Sequence, residues 1–418
     1  MNDDVLSQNV LNHAICRGDI TEVTQQLGLE KQRTMYHGIS KQERINQILW
    51  NATFHRQYGV SRLLLEHPYH ADPNTQPPQK PCILLLACRL GREERRSGIA
   101  QFLIHNGANP NPGCCSWDAD SCLRGHTPLS MAVATHQIDL IQLLLKNGAR
   151  VDDQCQPNSS RKQVTPLFVA VGNQSNPYHT TAQLVHLLLQ HGADPIAKCG
   201  WDEQYWWETP LYRACQRGRV EVISLLLNHG ANPNVPCTRQ QHTPLHVAAE
   251  QGRKDVMHLL LQHGANIAAT RGNDDKTTLH LIFENDKMET MHLMTSAVEL
   301  LLHFQTPVNC IDRYGHSPLD LAAGSSSSNQ IVPMLLECGA NPNQSPPSNR
   351  ALHLAAGDND KWPTVLALLC HGANANQIWQ ISNGDAITPL DCACQRKSLN
   401  NIYVLLYAMI GNGSLILS

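Results

Sequence analysis

The chain has 418 residues, of which 42% are hydrophobic and 16% are charged, and its formal net charge is -3. This composition supports a folded core and excludes a chain held disordered by its own charge. The charge balance gives no reason to expect nucleic acid as a partner. No basic segment followed by an apolar run opens the chain, and no apolar stretch reaches the roughly 20 residues of a membrane span, so we expect neither secretion nor membrane insertion.

A repeating unit fills most of the sequence. Asn9 to Leu27 is a degenerate first unit, and residues 49–72 and 84–108 keep the pattern loosely. Well-formed units begin at Thr127, Thr165, Thr209, Thr243, Thr277, Ser317, Ala351 and Thr388. The interval from Thr209 to Thr243 is about 34 residues, whereas those after Thr127, Thr165 and Thr277 are longer. We therefore expect insertions in the loops of these three units.

The unit that begins at Thr243 shows how each repeat folds. The Thr243 hydroxyl can cap a free backbone N–H, and Pro244 fits the first position of a helix. Gly252 ends that helix and permits a turn. The apolar residues of 256–261 lie on one face of a second helix, which Gly264 ends. The pattern predicts a helix-turn-helix unit that buries its apolar face only against neighbouring units.

The motif Thr-Pro-Leu-His-Val-Ala-Ala at residues 243–249 and the Gly-Ala-Asn at residues 264–266 resemble the ankyrin repeat. The resemblance extends from Asn9 to about Ile410. It implies an all-α ankyrin-repeat solenoid of about ten helix-turn-helix repeats joined by finger turns, with a concave face formed by the first helices and the fingers. We expect residues 1–45 to form a degenerate capping repeat and helical connector, 46–410 the solenoid, and 411–418 a tail.

Many of the 22 histidines stand at fixed repeat positions, for which we predict structural roles. A histidine directly before the helix-ending glycine can bond the last carbonyls of the helix. Another group fills the fourth position of the signature. The first group is His191, His229, His263 and His371, and the second is His246, His280 and His353.

The 15 cysteines are odd in number, scattered along the chain, and include no Cys-x-x-Cys pair. This usage predicts a reducing, cytoplasmic compartment without disulfides. Cys88, Cys215 and Cys394 occupy the position of Ala249, where a small hydrophobic residue is required. We predict that all three are repeat-position residues rather than reactive thiols.

A second cysteine group offers an alternative, either zinc binding or catalysis. Cys114, Cys115 and Cys122 lie in the long finger that ends at His126. Three sulfurs and an imidazole can hold zinc, but the spacing matches no common zinc module. No phosphate-binding loop, dinucleotide fingerprint, metalloprotease motif or nucleophile elbow is present. We therefore predict that the protein is not an enzyme and needs no metal or cofactor.

Large aromatic residues cluster in the predicted fingers, where little core is available to bury them. Exposed Trp, Tyr and Arg residues dominate the binding energy of protein interfaces. Packing between long fingers is the alternative explanation. The predicted partner-binding residues are Trp117, Asp118, Trp201, Asp202, Tyr205, Trp206, Trp207, Tyr212, Arg213, Tyr314 and Trp379.

These features favour a monomeric scaffold or adaptor that binds another protein on the finger and first-helix surface. The acidic Asp118, Asp202 and Glu203 favour a partner with some basic character. Irregular ankyrin proteins resemble both eukaryotic adaptors and proteins that intracellular bacteria deliver into host cells, which implies the cytosol of the host in the second case. A zinc-binding protein or enzyme with a site around Cys114–His126 is the alternative, and a structural spacer is a third.

Overall fold

The computed structural model describes most of the chain. It contains two compact units, residues 1–213 and residues 214–418. The described residues are 2–29, 35–36, 39–66, 68–78, 80–94, 98–112, 126–153, 164–172, 178–200, 207–237, 240–284, 291–344, 350–380 and 386–410.

The described residues contain 22 α-helices and three short antiparallel hairpins. The first eleven helices are α1 (Asn2–Arg17), α2 (Ile20–Leu29), α3 (Lys41–Phe54), α4 (Tyr58–Leu65), α5 (Ile83–Glu94), α6 (Gly98–His105), α7 (Pro128–Ala134), α8 (Ile138–Lys146), α9 (Pro166–Gly172), α10 (Tyr178–Gln190) and α11 (Pro210–Arg217). The others are α12 (Val220–Asn228), α13 (Pro244–Glu250), α14 (Lys254–Gln262), α15 (Thr278–Phe283), α16 (Met291–His303), α17 (Pro318–Gly324), α18 (Ser328–Glu337), α19 (Ala351–Ala356), α20 (Trp362–Cys370), α21 (Pro389–Gln395) and α22 (Leu399–Ile410). The strands are β1 (Met35–Tyr36), β2 (Ile39–Ser40), β3 (Cys199–Gly200), β4 (Trp207–Glu208), β5 (Trp379–Gln380) and β6 (Ala386–Ile387).

Consecutive helices pack as pairs, and the pairs stack on one another within each unit. In unit 1, α3, α5, α7 and α9 pack in sequence, as do α2, α4, α6 and α8. In unit 2 the two rows are α13, α15, α17, α19 and α21, and α12, α14, α16, α18, α20 and α22. This arrangement confirms the predicted all-α repeat architecture. None of the helices among the described residues has the length and hydropathy of a membrane span.

The helix starts follow the predicted capping chemistry. Thr243 accepts a hydrogen bond from the His246 N–H and begins α13, with Pro244 at its first position. Gly252 and Gly264 have positive φ angles of 63° and 81°, which permit the turns after α13 and α14 without strain. The His246 side chain bonds back to the Thr243 backbone, which completes a capping box. The same capping box occurs at Thr127, Ser317 and Thr388.

Asparagine side chains connect successive fingers. The Asn234 Nδ2 donates to the Gly264 oxygen (2.9 Å), and its Oδ1 accepts from the Asn266 N–H (2.7 Å). The same pair of bonds is made by Asn74, Asn111, Asn309 and Asn343. These bonds form a hydrogen-bonded ladder along the repeats.

Three described positions of the ladder carry another residue in place of the asparagine. One is Ile196, which has no side-chain amide. Asp152 accepts from the Asp194 N–H at 3.1 Å but has no amide to donate. In unit 2, Ala268 stands at the position that Asn234 occupies in the preceding finger. The facing residue in the next finger is Pro307, which lacks an N–H, so an asparagine at 268 would have lost its donor partner.

One boundary prediction needs correction. The expected helical connector before residue 46 is wrong in part, because residues 35–40 include the hairpin of β1 and β2 and α3 already begins at Lys41. Ser40 and Glu43 form a capping box, which fixes the start of this helix. Of the three cysteines at the repeat position of Ala249, Cys88 and Cys215 are buried, whereas Cys394 is exposed. Cys394 lies on the last described helix pair, and no further pair among the described residues covers it.

Candidate functional site

The fingers of unit 2 are tied together by backbone bonds. Within one finger, Cys237 pairs with His242, and within the next, Thr270 pairs with Thr277, each as a short antiparallel bridge. The Gly272 N–H donates to the Gln240 oxygen at 2.9 Å. These bonds hold the side chains at the bases of neighbouring fingers in a defined row.

The row begins with a charged cluster around Arg271. Its guanidinium donates to Glu250 Oε1 at 2.8 Å and to Asp274 Oδ1 at 2.9 Å. Burial opposes the charge of Asp274, but the hydrogen bond and positive charge of Arg271 outweigh it and lower the pKa of that carboxyl. Burial, with the nearby positive charge and His246, lowers the pKa of His242 to about 4. The cluster therefore joins the partly exposed Glu250 and Arg271 to the buried Asp274 and His242.

The row continues through Lys276 to an exposed aromatic ring. Lys276 donates to Glu284 and its ammonium lies 5.4 Å from the centre of the Tyr314 ring. Tyr314 is 61% exposed, although the Arg313 N–H anchors its finger to the Asp274 oxygen at 2.8 Å. The side chain is thus presented to solvent from a fixed backbone.

The far end of the row joins His316, Arg350 and Trp379. The rings of Tyr314 and His316 are 6.4 Å apart, and the Arg350 Nη1 lies 3.2 Å from His316 Nε2. The Arg350 guanidinium lies 4.9 Å from the centre of the Trp379 ring, which is half-buried in β5. Asp312 is buried beneath His316 and accepts from its backbone N–H at 2.8 Å.

These contacts form one continuous row of side chains, here named the finger strip, in which Asp274 and Lys276 are buried and Tyr314 is exposed. It carries three basic and three acidic side chains, one histidine and two aromatic rings. Its members are Glu250, Arg271, Asp274, Lys276, Glu284, Tyr314, His316, Arg350 and Trp379. Its basic and acidic side chains are equal in number, so its charge does not favour a strongly acidic or a strongly basic partner.

The predicted partner-binding residues that the structure describes do not all lie in the finger strip. Tyr314 and Trp379 lie in the finger strip. Trp207 and Arg213 lie in unit 1, where Arg213 donates to Glu208 at 3.1 Å and lies 5.7 Å from the centre of the Phe168 ring. Tyr212 is 3% exposed, so its predicted place on a binding surface is wrong. It occupies the fourth position of the signature, which faces the interior, as His246 does.

Several predicted residues lie outside the described residues. They are Trp117, Asp118, Trp201, Asp202, Tyr205 and Trp206, together with Cys114, Cys115 and Cys122. His126 is described, and its Nδ1 lies 3.1 Å from Ser130 Oγ. In the part of the chain that the structure describes, no three His, Cys, Asp or Glu residues are grouped as metal ligands.

The histidines at repeat positions make the expected backbone contacts. In His191, His229, His263 and His371, Nδ1 lies 2.9 Å from the carbonyl oxygen four residues earlier. His246 is buried, with Nε2 2.9 Å from the Ala269 oxygen. These contacts support structural roles for this group.

Sequence reasoning missed most of the finger strip. Lys276 and His316 stand directly before the first signature residue of their repeats, and Arg350 replaces that residue. Their recurrence at the same place in successive repeats was the one feature of the sequence that could have indicated a shared row. It does not reveal that charged side chains from different fingers contact one another, because those contacts depend on the stacking.

The stacked helix pairs and their fingers define a helical repeat protein. The family model described as "Ankyrin repeats (3 copies)" matches residues 48–155, 84–199 and 178–271, and the single "Ankyrin repeat" model matches residues 314–345. The chain therefore belongs to the ankyrin-repeat family, whose repeats are generally protein–protein interaction modules.

Among solved structures, the chain is similar to the human ASB11 ankyrin repeat domain. The two are 24% identical with a TM-score of 0.44, over 62% of this chain and 98% of that chain. The search of curated proteins found no match.

Proposed function

We propose that the protein is an adaptor that binds a partner protein on the finger strip of unit 2. The observation that carries this proposal is the unbroken series of side-chain contacts from Glu250 to Trp379, with Tyr314 exposed at its centre. The strip crosses the fingers and first helices of successive repeats, so a partner lying along it would contact several repeats at once.

The composition of the strip supports protein recognition. Trp, Tyr and Arg side chains contribute most to interface energies, and all three occur here. Hydrogen bonds fix the Arg271 and Arg350 side chains before a partner arrives. Pre-arranged side chains reduce the entropy lost on binding. The paired charges would select partners by their charge pattern rather than by net charge.

We further propose that this binding occurs in the cytoplasm. All eleven cysteines among the described residues are free, including the exposed Cys338 and Cys370. Exposed free thiols are compatible with a reducing compartment and would be oxidised in a secretory one.

A pull-down from cytosolic extract tests the binding proposal. The Tyr314→Ala, Arg313→Ala variant removes the exposed ring from the middle of the finger strip and the exposed cation next to it in the sequence. The matched control is Tyr58→Ala, Arg62→Ala in unit 1, because Tyr58 is also exposed and Arg62 also lies near an aromatic ring. We expect wild type and control to capture the same protein, and the strip variant to bind it at least about tenfold more weakly.

Two results would contradict the proposal. One is equal capture by all three proteins with unchanged circular dichroism, which would place the binding surface elsewhere. The other is the absence of any specifically captured protein.

A further inference from the structure

The last described helix, α22, has an apolar side that nothing among the described residues covers. Its sequence has no charged residue. Asn401 and Leu405 are fully buried, and the Asn401 Nδ2 donates to the oxygens of Ala356 (3.0 Å) and Asp358 (2.6 Å). These contacts fix the rotation of α22 about its axis, so the side opposite Asn401 and Leu405 must face outward.

Five large residues occupy that opposite side, here named the α22 outer face. Their spacing of four, three, one and three residues places them in one stripe. They are Leu399, Tyr403, Leu406, Tyr407 and Ile410, with exposed fractions of 74%, 72%, 42%, 53% and 81%. The rings of Tyr403 and Tyr407 stack with their centres 6.5 Å apart.

The corresponding side of an earlier second helix differs in chemistry. In α14, Lys254, His258 and Gln262 occupy the positions of Leu399, Tyr403 and Tyr407, and all three are polar and exposed. Leu261 occupies the position of Leu406 but is only 7% exposed, because the following repeat covers it. The α22 outer face thus combines an uncovered stacking position with apolar residues where a solvated helix carries polar ones.

We propose that the α22 outer face binds the same face of a second copy of this chain. The exposed area of the five residues is about 600 Å², taking roughly 200 Å² for a large side chain. A symmetric pair would bury about 1,200 Å², which reaches the range of specific protein interfaces. An uncharged face can meet itself without repulsion, as an isologous contact requires.

Charge at the ends of α22 sets the direction of pairing. Arg396 and Lys397 are exposed directly before α22, whereas the C-terminal end of a helix carries partial negative charge. An antiparallel pair places these cations of one chain beside the helix C-terminus of the other. A parallel pair would bring the cations of both chains together. The contact is therefore antiparallel, with Tyr403 and Tyr407 near its centre.

This inference replaces the monomer expected from the sequence and is independent of the finger strip. Its test is sedimentation of the full chain from about 1 μM to about 100 μM. We expect a concentration-dependent dimer, at least tenfold weaker in the Tyr403→Lys, Tyr407→Lys variant. This variant should fold, because α14 carries His258 and Gln262 at these positions. The control Tyr314→Lys should dimerise like wild type.

Residues 411–418 follow α22 directly in the sequence, so a chain lacking them is measured in parallel. We expect it to dimerise at least as well as the full chain. A full chain that stays monomeric over the whole range would overturn the inference, whether or not the shortened chain dimerises. So would a dimer that the two lysines leave unchanged.

Discussion

Arg350 stacks on Trp379, with its guanidinium carbon 4.9 Å from the ring centre, at a position where the other well-formed repeats have threonine or serine. The replacement has a local cost. Arg350 gives α19 no side-chain cap, and Nδ1 of the buried His353 has no hydrogen-bond partner. In the repeats at Thr243 and Thr277, the corresponding histidine Nδ1 accepts from the threonine N–H.

The first prediction separates stability from binding at this position. Arg350→Thr restores the capping hydroxyl and should be about 1 kcal/mol more stable to urea than Arg350→Ala. Both variants lose the contact with Trp379, so both should bind the partner of the finger strip more weakly than wild type. Equal urea stability of the two variants would show that the cap is not recovered.

The second prediction concerns acid. Burial is the main cause that lowers the pKa of His246 and of His280, and both use Nδ1 as the acceptor in a capping box. The unfolded chain therefore binds protons more readily than the folded chain. The stability contributed by the two neutral rings is complete above about pH 6.5 and falls as the pH decreases below it, by up to about 2 kcal/mol each at pH 5.

Urea unfolding between pH 7.5 and pH 5 measures this effect. Serine is the matched replacement, because Ser130 makes the same box at Thr127 without a titrating group. The His246→Ser, His280→Ser variant should show a flatter dependence of the unfolding free energy on pH, whatever its stability at pH 7.5. An unchanged slope would exclude these rings as its source.

The third prediction concerns the asparagine ladder. Asn343→Ala removes two hydrogen bonds to the next finger, at 2.6 Å and 2.9 Å, and should cost about 1–2 kcal/mol of unfolding free energy. Asn343→Asp keeps the acceptor, as at Asp152, and should cost less. The control is Asn376→Ala, at the equivalent position of the last described finger, where the side chain has no such partner among the described residues. We expect it to cost less than about 0.5 kcal/mol.

The sequence predicted the helix starts well and the binding residues poorly. Thr243 and Pro244 specify a helix start through local chemistry, so their effect can be read from neighbouring residues. Tyr212 and Tyr314 differ in a way that local chemistry does not specify, because Tyr212 points into the repeat stack while Tyr314 points out from a finger. The contacts of Lys276 with Tyr314 and of Arg350 with Trp379 join different repeats, and their geometry requires the stacked structure.

The fourth prediction tests the zinc alternative around Cys114, Cys115, Cys122 and His126. We expect purified protein to contain no stoichiometric zinc by elemental analysis, because this spacing matches no common zinc module. Thiol labelling of the native chain should spare Cys88, whose pKa burial raises to about 12. One zinc per chain, lost together with the protection of these cysteines when a chelator is added, would favour the alternative.

Because Ala268 replaces the ladder asparagine, one junction between helix pairs in unit 2 lacks the asparagine hydrogen bonds that the other junctions have. Elsewhere along the ladder in this unit, neutral amides join the fingers and are insensitive to dissolved ions. Between the α13–α14 and α15–α16 pairs, the ion pairs of Arg271 with Glu250 and Glu284, which salt weakens, act beside the Arg313 bonds to the oxygens of Asn273 and Asp274. If unit 2 is stretched from its ends, added salt should lower the rupture force of this junction more than that of the others. At high ionic strength, we then expect the helix stack under tension to separate first at this junction.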